Sequence, residues 1–528
     1  MRIVVADPIS KRGIELLRAP GWEVLTPARE SLRDALATAD ALIVRSTTRV
    51  TSEIFELAPR LRVVGRAGVG VDNIDVDAAT ARGVLVMNTP GGNAVSVAEH
   101  TLALMLAVAR HIPQLNSAIH AGRWEKSGGV GVELRAKTLG LIGLGRVGSE
   151  VARRARAFGM SVIAHDPFVT EEAARDAGID LLPLAEVLGR SDFLSLHAAL
   201  SPATEKLIHA ETLAKCKRGA ILINTARGEL MDEMALSEAL RSGQLAGAGL
   251  DVFAEEPPVR SPLIGLPNVV ATPHIAGSTH EAQEEVGTLI AEQVFSYLTE
   301  GAMRNAVNLP AVGGEEYRRA RPWIEMVTRL GAFVAQIAGG HFERMSLAFA
   351  GEAAEMGTSV LRNAALAGLL NTVLDEKVNL VNAGKVAAAR GLTVEERARH
   401  IEQGYPDTVE VAVRAGRGSR GCKAEATVLH GVSPRILRVD GIELEAPLAG
   451  TMLFFRNKDV PGVIGEIGTI LGAHGVNIAT FALGRDTAAS GTEAMALVRL
   501  DGAVPEEVLQ LIRGIGAITE VRLVQLPD

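Results

Sequence analysis

The chain reads as an α/β protein. Its amino-terminal part makes two doubly wound lobes on parallel sheets, and an α+β unit and a small βαββαβ unit follow. Three observations predict this. Short apolar strands alternate with helical patterns from Arg2 to about Glu300, which is how parallel sheets are written. One strand–helix junction carries a glycine fingerprint. The last segment runs strand, helix, strand, strand, helix, strand, the order of a ferredoxin-like sandwich.

Residues 1–95 supply five strand candidates, RIVVAD, WEVLTP, DALIVRS, LRVVGRAGV and VLVMNTP. A long helix over 96–122 interrupts them. Six more strands follow: GLIGLG, SVIAHD, FLSLHAA, AILINTA, GAGLDV and NVVATPH. A second long helix covers 279–301 and stops at Gly301. Two such units joined by two long helices predict a pair of lobes with a ligand cleft between them.

The expected division is 1–95 with 281–305 as a substrate-binding lobe, 96–280 as a nucleotide-binding lobe, 311–448 as an intervening unit, and 449–528 as the last. The break falls at NAVNLP (305–310), where Pro310 follows an extended run. Residues 311–448 mix helices such as EEYRRARPWIEMVTRLGAFVAQIAGG with hairpins at 407–447, and show no catalytic constellation. In the last unit TMLFFRN, NIATFALGR, EAMALVRL and ITEVRLVQL are strands. The helix VIGEIGTILGAHG aligns Ile464, Ile467, Ile470 and Leu471, and PEEVLQLIRGI is the second helix. Such a unit leaves one sheet face and its edges available.

Composition narrows the function. The chain has 528 residues, enough for three to four domains at about 150 each. It is 47% hydrophobic and 22% charged, with a net charge of −8, so it carries no electrostatic footprint for nucleic acid. Arg153 and Arg154 fall on the solvated face of one amphipathic helix. Cys216 and Cys422 have no ligand-spaced partners, which argues against structural zinc or a disulfide framework and fits a reducing cytoplasm. The opening MRIVVADPIS is a strand pattern, and TLALMLAVA is too short to span a bilayer. No metal and no membrane partner are expected.

The fingerprint lies in KTLGLIGLGRVGSEVARRARAFGMSVIAHDP (137–167). An apolar strand ends in Gly143, Gly145 and Gly148, and a helix follows with Val151, Ala155 and Phe158 on one face. A second strand runs into Asp166, eighteen residues after Gly148 and close to the roughly 20 of a dinucleotide fingerprint. This is the Rossmann pattern. Its glycines give a tight turn, close approach to a pyrophosphate and helix–strand contact, and the helix N-terminus binds the diphosphate. Asp166 accepts hydrogen bonds from ribose hydroxyls and repels a 2′-phosphate, so NAD is favoured over NADP. GRGSRG (416–421) also matches the glycine spacing, but it sits between two alternating runs with no helix after it, so it is a hairpin turn.

Three segments end strands at the edge of the same sheet. INTARGELMDE presents Arg227, GLDVFAEEP presents Asp251 and Glu256, and ATPHIAGST presents His274. Singly these are a solvated arginine, a helix-capping acid and an ordinary histidine; on consecutive turns downstream of the fingerprint they make a hydride-transfer site. His274 is a base for a hydroxyl proton, since histidine ordinarily titrates near ~6.5. Glu256 beside it favours the imidazolium, and Arg227 offers a planar fork for a carboxylate and polarises the C2 oxygen.

The ordered set GLGRVG, TARG, DVFAEEP and TPHIAGST resembles the D-2-hydroxyacid dehydrogenase family over about residues 1–305. The resemblance implies Arg227, Glu256 and His274 in these catalytic roles. It also implies Arg146 and Val147 at the pyrophosphate, and Thr225 and Ala226 along the cofactor. Asp251 would lie near the nicotinamide amide, with His274, Ile275, Ala276 and Gly277 near the ring. GRAGVGVDNIDVDAATARGVLVMNTPGGNAVSVAEH (65–100) and the two added units resemble the long-form phosphoglycerate dehydrogenase branch. That branch implies 3-phosphoglycerate as substrate and the first step of serine biosynthesis, with Arg45, Ser46, Arg66, Asn93 and Lys126 binding the substrate. KDVPGVIGEIG and HGVNIATF resemble an ACT domain, which implies allosteric control by L-serine at Asp459 and Asn477 and a homodimer or homotetramer. A hydroxypyruvate or glyoxylate reductase, and a non-catalytic NAD(H)-sensing protein, are the competing readings.

Overall fold

The computed structural model describes residues 1–28, 31–309, 314–339, 342–375, 377–399, 404–415, 421–485, 493–502 and 504–527. Among the described residues the strands form four sheets. Strands β1 (Arg2–Val5), β2 (Glu23–Leu25), β3 (Ala41–Val44), β4 (Val63–Arg66) and β5 (Leu85–Met87) form the first, in the order β2-β1-β3-β4-β5, all parallel. The second holds β6 (Thr138–Ile142), β7 (Ser161–His165), β8 (Asp180–Leu181), β9 (Phe193–Leu196), β10 (Ala220–Asn224), β11 (Leu245–Leu250) and β12 (Val269–Ala271). Its order is β12-β11-β10-β9-β6-β7-β8, again parallel, and the reversal between β6 and β9 is where such folds bind dinucleotides.

The central strands are buried runs such as Ala-Ile-Leu-Ile-Asn in β10 and Ala-Leu-Ile-Val in β3, because helices cover both faces. Helix Ala94–Ala109 lays Leu104, Met105 and Val108 against Leu139, Leu141 and Ile221 of the second sheet. Helix His280–Glu300 returns to the first sheet, burying Val286, Ile290 and Val294 against Ile3, Ile43 and Met87. Gly13 and Gly287 let it approach helix Lys11–Arg18 closely: a Cβ on Gly13 would stand 2.6 Å from the Gly287 carbonyl oxygen.

The expected single helix over 96–122 is two helices, Ala94–Ala109 and Ile112–His120, bent by 65°. The break has a backbone cause. Pro113 has no N–H for the Ala109 carbonyl, which instead accepts from Val132 N at 2.9 Å, and His111 takes a left-handed φ of +54°. Among the described residues no single helix is long and apolar enough to cross a membrane; this bent pair passes only on joint length and composition. Phe158, expected on the buried face of helix Arg146–Ala157, is exposed at its C-cap.

Beyond Leu309 the character changes, and Pro310 lies outside the described residues. Strands β13 (Phe342–Ala350), β14 (Thr393–Ala398), β15 (Thr408–Ala415), β16 (Cys422–Leu429), β17 (Ser433–Val439) and β18 (Ile442–Pro447) form a sheet in the order β14-β13-β15-β16-β17-β18. Only β13 and β14 run parallel in it. β15 and β16 pair antiparallel across the GRGSRG segment, as a hairpin requires; residues 416–420 lie outside the described ones.

The last sheet contains β19 (Thr451–Lys458), β20 (Asn477–Arg485), β21 (Glu493–Asp501) and β22 (Ile518–Gln525), antiparallel in the order β20-β21-β19-β22. One face packs on its two helices through Leu453, Phe455, Ile467, Leu471 and Ile512. Ile464, expected with them, is 45% exposed. The other face is not available, contrary to expectation. Met452, Phe454, Met495, Leu497 and Val524 join Met326, Phe333 and Phe349 of the preceding unit in one core. Alternation along each strand made both faces apolar, and the second apolar face needed a cover.

Candidate active site

The fingerprint turn is built by steric necessity. Gly143 leaves β6 at φ +96°, and a Cβ there would lie 2.7 Å from the His197 carbonyl carbon at the end of β9. A Cβ on Gly148 would collide with the Gly143 carbonyl oxygen, so the helix can start against the strand only with glycine there. Gly145 is different: its Cβ position meets nothing within 4 Å, and it begins helix Arg146–Ala157 with no side-chain cap. An open, uncapped helix N-terminus at the sheet's reversal point is an anion cradle. Val147 follows half-buried at this N-terminus. Arg146 reaches across to the Pro90 carbonyl of the other lobe. Asp166, half-buried after β7, accepts Leu144 N at 2.7 Å and Phe168 N at 2.8 Å, which fixes its carboxylate beside the turn.

His197 itself is half-buried, and desolvation pushes its pKa down to about 4, so it is neutral and shares a 2.9 Å hydrogen bond with Ser195.

Arg227 follows β10. Its Nη1 donates to its neighbour's carbonyl, Ala226 O, at 2.7 Å, and its Nη2 to Asp72 of the first lobe at 3.0 Å. Thr225 is buried and bonds Thr101 at 2.8 Å. His274 and Glu256 meet, Nδ1 to Oε2, at 2.8 Å, and both are part-exposed to the cleft. Since a carboxylate only accepts, Nδ1 carries the proton and Nε2 presents a lone pair, a tautomer assigned from the partner. Asp251 is fully buried. It accepts Ile275 N at 2.9 Å and Ala276 N at 2.8 Å, and so shapes the turn that carries His274. Gly277 faces Asn93: a Cβ there would stand 2.6 Å from Asn93 Nδ2.

The first lobe contributes cations. Arg66 ends β4, and its Nε is buried without a partner among the described residues. Its pKa is lowered by burial and by the neighbouring Arg227 and Arg45, against the raising effect of Asp72 and Asp7. Arg45 follows Val44, the register partner of Arg66, and the Arg66 and Arg227 guanidiniums both lie against the Gly68–Gly70 turn, so three guanidiniums converge. Asp7 holds the Arg45 turn, accepting Arg45 N at 2.6 Å and Thr48 N at 3.1 Å, with Ser46 exposed between them.

Two expected sets are not brought together. Lys126 is exposed in the loop after helix Ile112–His120, a loop that returns to Ala109. Asn93 opens the other end of the 16-residue helix, about 24 Å from Ala109 at ~1.5 Å per residue, so the loop that carries Lys126 is anchored at the end of the helix away from Asn93. Asp459 pairs with Arg485 at 3.1 Å and Asn477 with Asp501 at 2.7 Å. These are opposite ends of β20, about 26 Å apart at ~3.3 Å per residue. Sequence reasoning missed Asp72 and His100. Asp72 was signalled only by following the β4 turn, and His100 by standing one residue past an acid on an apolar helix.

The family model for the NAD-binding domain of D-isomer-specific 2-hydroxyacid dehydrogenases matches residues 102–276. The D-3-phosphoglycerate dehydrogenase intervening domain matches 319–440, and the ACT domain 451–517. The open Gly145 cradle and fixed Asp166 fit NAD as the cofactor. D-3-phosphoglycerate dehydrogenase of Bacillus subtilis is 40% identical over 100% of both chains, and that of Methanocaldococcus jannaschii also 40% over 100% of both. Among solved structures, the TT0316 protein of Thermus thermophilus matches at TM-score 0.53 and 38% identity, covering 58% of this chain and 100% of its own. A glyoxylate reductase from Paecilomyes thermophila matches at TM-score 0.53 and 32%, covering 58% and 98%. With all three family domains in order and full-length relatives at this identity, the chain belongs to the long-form D-3-phosphoglycerate dehydrogenase family.

Proposed function

We propose that this chain oxidises 3-phospho-D-glycerate to 3-phosphohydroxypyruvate, the opening step of L-serine synthesis. The observation that carries the reading is the gathering of Arg45, Arg66 and Arg227 around the turn after β4. A simple 2-hydroxy acid needs one guanidinium fork; a substrate with a carboxylate and a phosphate uses more. Arg227 takes the carboxylate in place of Asp72, while Arg45, Ser46, Arg66 and Asn93 take the phosphate end. Nε2 of His274 accepts the C2 hydroxyl proton, and Glu256 balances the imidazolium that results. NAD, when bound, accepts the C2 hydride with its electron pair. Gly143–Gly148 would hold the diphosphate, Asp166 the ribose, and Thr225, Ala226 and the Asp251 and His274–Gly277 turns the nicotinamide end. The test is NADH formation with 3-phosphoglycerate against unphosphorylated glycerate. A large preference for the phosphorylated acid supports the reading, and equal use of both sinks it in favour of a general hydroxyacid reductase.

The same proposal divides the chain into a substrate lobe (1–95 with 281–305), an NAD lobe (96–280), an intervening unit (311–448) and an ACT unit (449–528). It places the enzyme in the cytoplasm as a homodimer or homotetramer; two buried cysteines, with the Cys216 thiol raised to about 11 by burial, suit a reducing compartment. L-Serine is the proposed effector. Because Asp459 and Asn477 stand at opposite ends of the edge strand β20, antiparallel pairing of two copies along that edge brings Asp459 of one to Asn477 of the other. Calorimetry with serine on the full chain, alongside sedimentation, tests both points; no binding in any oligomeric form removes the effector claim.

A further inference from the structure

Helix Ala94–Ala109 starts in the cleft, and on its second turn His100 faces the NAD lobe with 21% of its side chain exposed. Its Nε2 lies 3.0 Å from Thr272 Oγ1 and 3.4 Å from Asp251 Oδ1. The Thr272 hydroxyl donates to the same Asp251 oxygen at 2.6 Å. That hydroxyl has spent its one proton, so Nε2 is the donor toward it. Asp251 in turn takes three successive N–H groups. The His274 N–H goes to its carbonyl at 2.8 Å, and those of Ile275 and Ala276 go to its carboxylate. They fix a turn in which His274 holds a left-handed φ of +54°, a conformation a non-glycine residue keeps only when its surroundings impose it.

We propose that His100 is a positioning residue for the oxidation: by donating into the Asp251–Thr272 pair it keeps Asp251 ionised, and so keeps the turn that aims His274. The proposal rests on the reading of His274 as the base. Among the described residues His100 bonds Thr272 and Asp251, and it acts through Asp251. Burial pushes the Asp251 carboxyl up, but the bonds from His100, Thr272 and the Ile275 and Ala276 N–H groups outweigh it and leave the carboxyl below its ordinary range. His100 comes from the helix. His274 and Glu256, from the neighbouring turns, bond each other, and Arg227 is turned to Asp72. The Glu99–Arg154 pair lies on the helix's outer flank.

The test uses the full chain with 3-phosphoglycerate and NAD, comparing wild type, His100→Leu, His100→Gln and His274→Asn across pH, with thermal melting of each. His100→Leu is expected to lower kcat about 10-fold to 100-fold, as for a lost bond to a charged group, with the substrate KM within about twofold. The acid limb of kcat should move to higher pH, because Asp251 without its donor takes up a proton sooner and can no longer hold both N–H groups. His100→Gln, whose amide nitrogen reaches the Nε2 position, should restore rate and limb. The proposal is overturned by unchanged kcat in His100→Leu, by a fall that is equal at every pH, or by Gln failing as Leu does. If His100→Leu melts as an unfolded chain, His100→Asn replaces it: its shorter amide matches Nδ1, not Nε2, and equal rates for Asn and Gln overturn the idea. Retained turnover in His274→Asn sinks the base assignment instead, independently of His100.

Discussion

The two halves of the molecule put their charged residues to opposite uses. Up to Leu309 both sheets are parallel, so every strand ends on the same edge and each following turn can offer a side chain to one cleft. Arg45, Arg66, Arg227, Asp251 and His274 all arrive that way. Beyond residue 314 the sheets are mostly antiparallel, and strand ends alternate between edges. Charges there satisfy one another across the sheet: buried Glu410 pairs with Arg397 at 3.1 Å, Arg399 at 3.0 Å and Lys423 at 2.7 Å. A parallel sheet concentrates reactive groups; an antiparallel one spends them on itself.

The largest expected effect tests that concentration directly. His274→Ala should lose roughly 10²–10⁴-fold in kcat, the usual weight of a general base, while NADH binding followed by fluorescence stays near wild type. Comparable turnover would mean the strand-end cluster is not the reaction centre.

Next comes the stability of the NAD lobe in acid. His197 is neutral in the fold with its pKa lowered to about 4. The unfolded chain binds its proton below ~6.5, so stability is full above that pH and falls as pH drops toward 4, by on the order of 3 kcal/mol. Depressed Asp192 and Asp251 act in the same direction at lower pH still: their contribution is present above the ordinary carboxylate pKa and is lost as pH falls through the lower folded value. Urea melts of His197→Gln should show a flatter pH dependence; an identical slope would place the acid sensitivity elsewhere.

Arg66→Ala sharpens the claim that the first lobe recognises phosphate. It should raise the KM for 3-phosphoglycerate by the equivalent of ~1.5–3 kcal/mol and leave that for glycerate nearly unchanged. Equal changes would reduce Arg66 to a structural cation.

The smallest effect belongs to the antiparallel half. Asn477→Ala removes a single exposed bond to Asp501 and should weaken the proposed serine inhibition a few-fold, at about 1 kcal/mol, without altering uninhibited turnover. If inhibition were untouched, β20 would not be the effector edge. An isolated last unit is a poor reagent for this, since it would expose Met452, Phe454 and Leu497.

By itself the sequence determined what short-range physics writes. Alternating strands and helices declared two parallel sheets, the glycines at 143, 145 and 148 declared a turn that tolerates no Cβ at two of them, and Asp166 stood at the distance a ribose needs. Arg227, Glu256 and His274 were legible because each follows an apolar strand. β8, at two residues, was too short to show a period, and β13 and β14 went unread because FERMSLAFA and TVEERA do not alternate cleanly.

Tertiary structure alone decided the rest. It set Asp72 against Arg227 across 155 residues and His100 against Thr272 across 172. It anchored the Lys126 loop at the Ala109 end of its helix, and closed the free face of the last sheet with the core of the unit before it. Periodicity reports which face of an element is apolar; it does not report which other element, hundreds of residues away, will cover that face or share its charge.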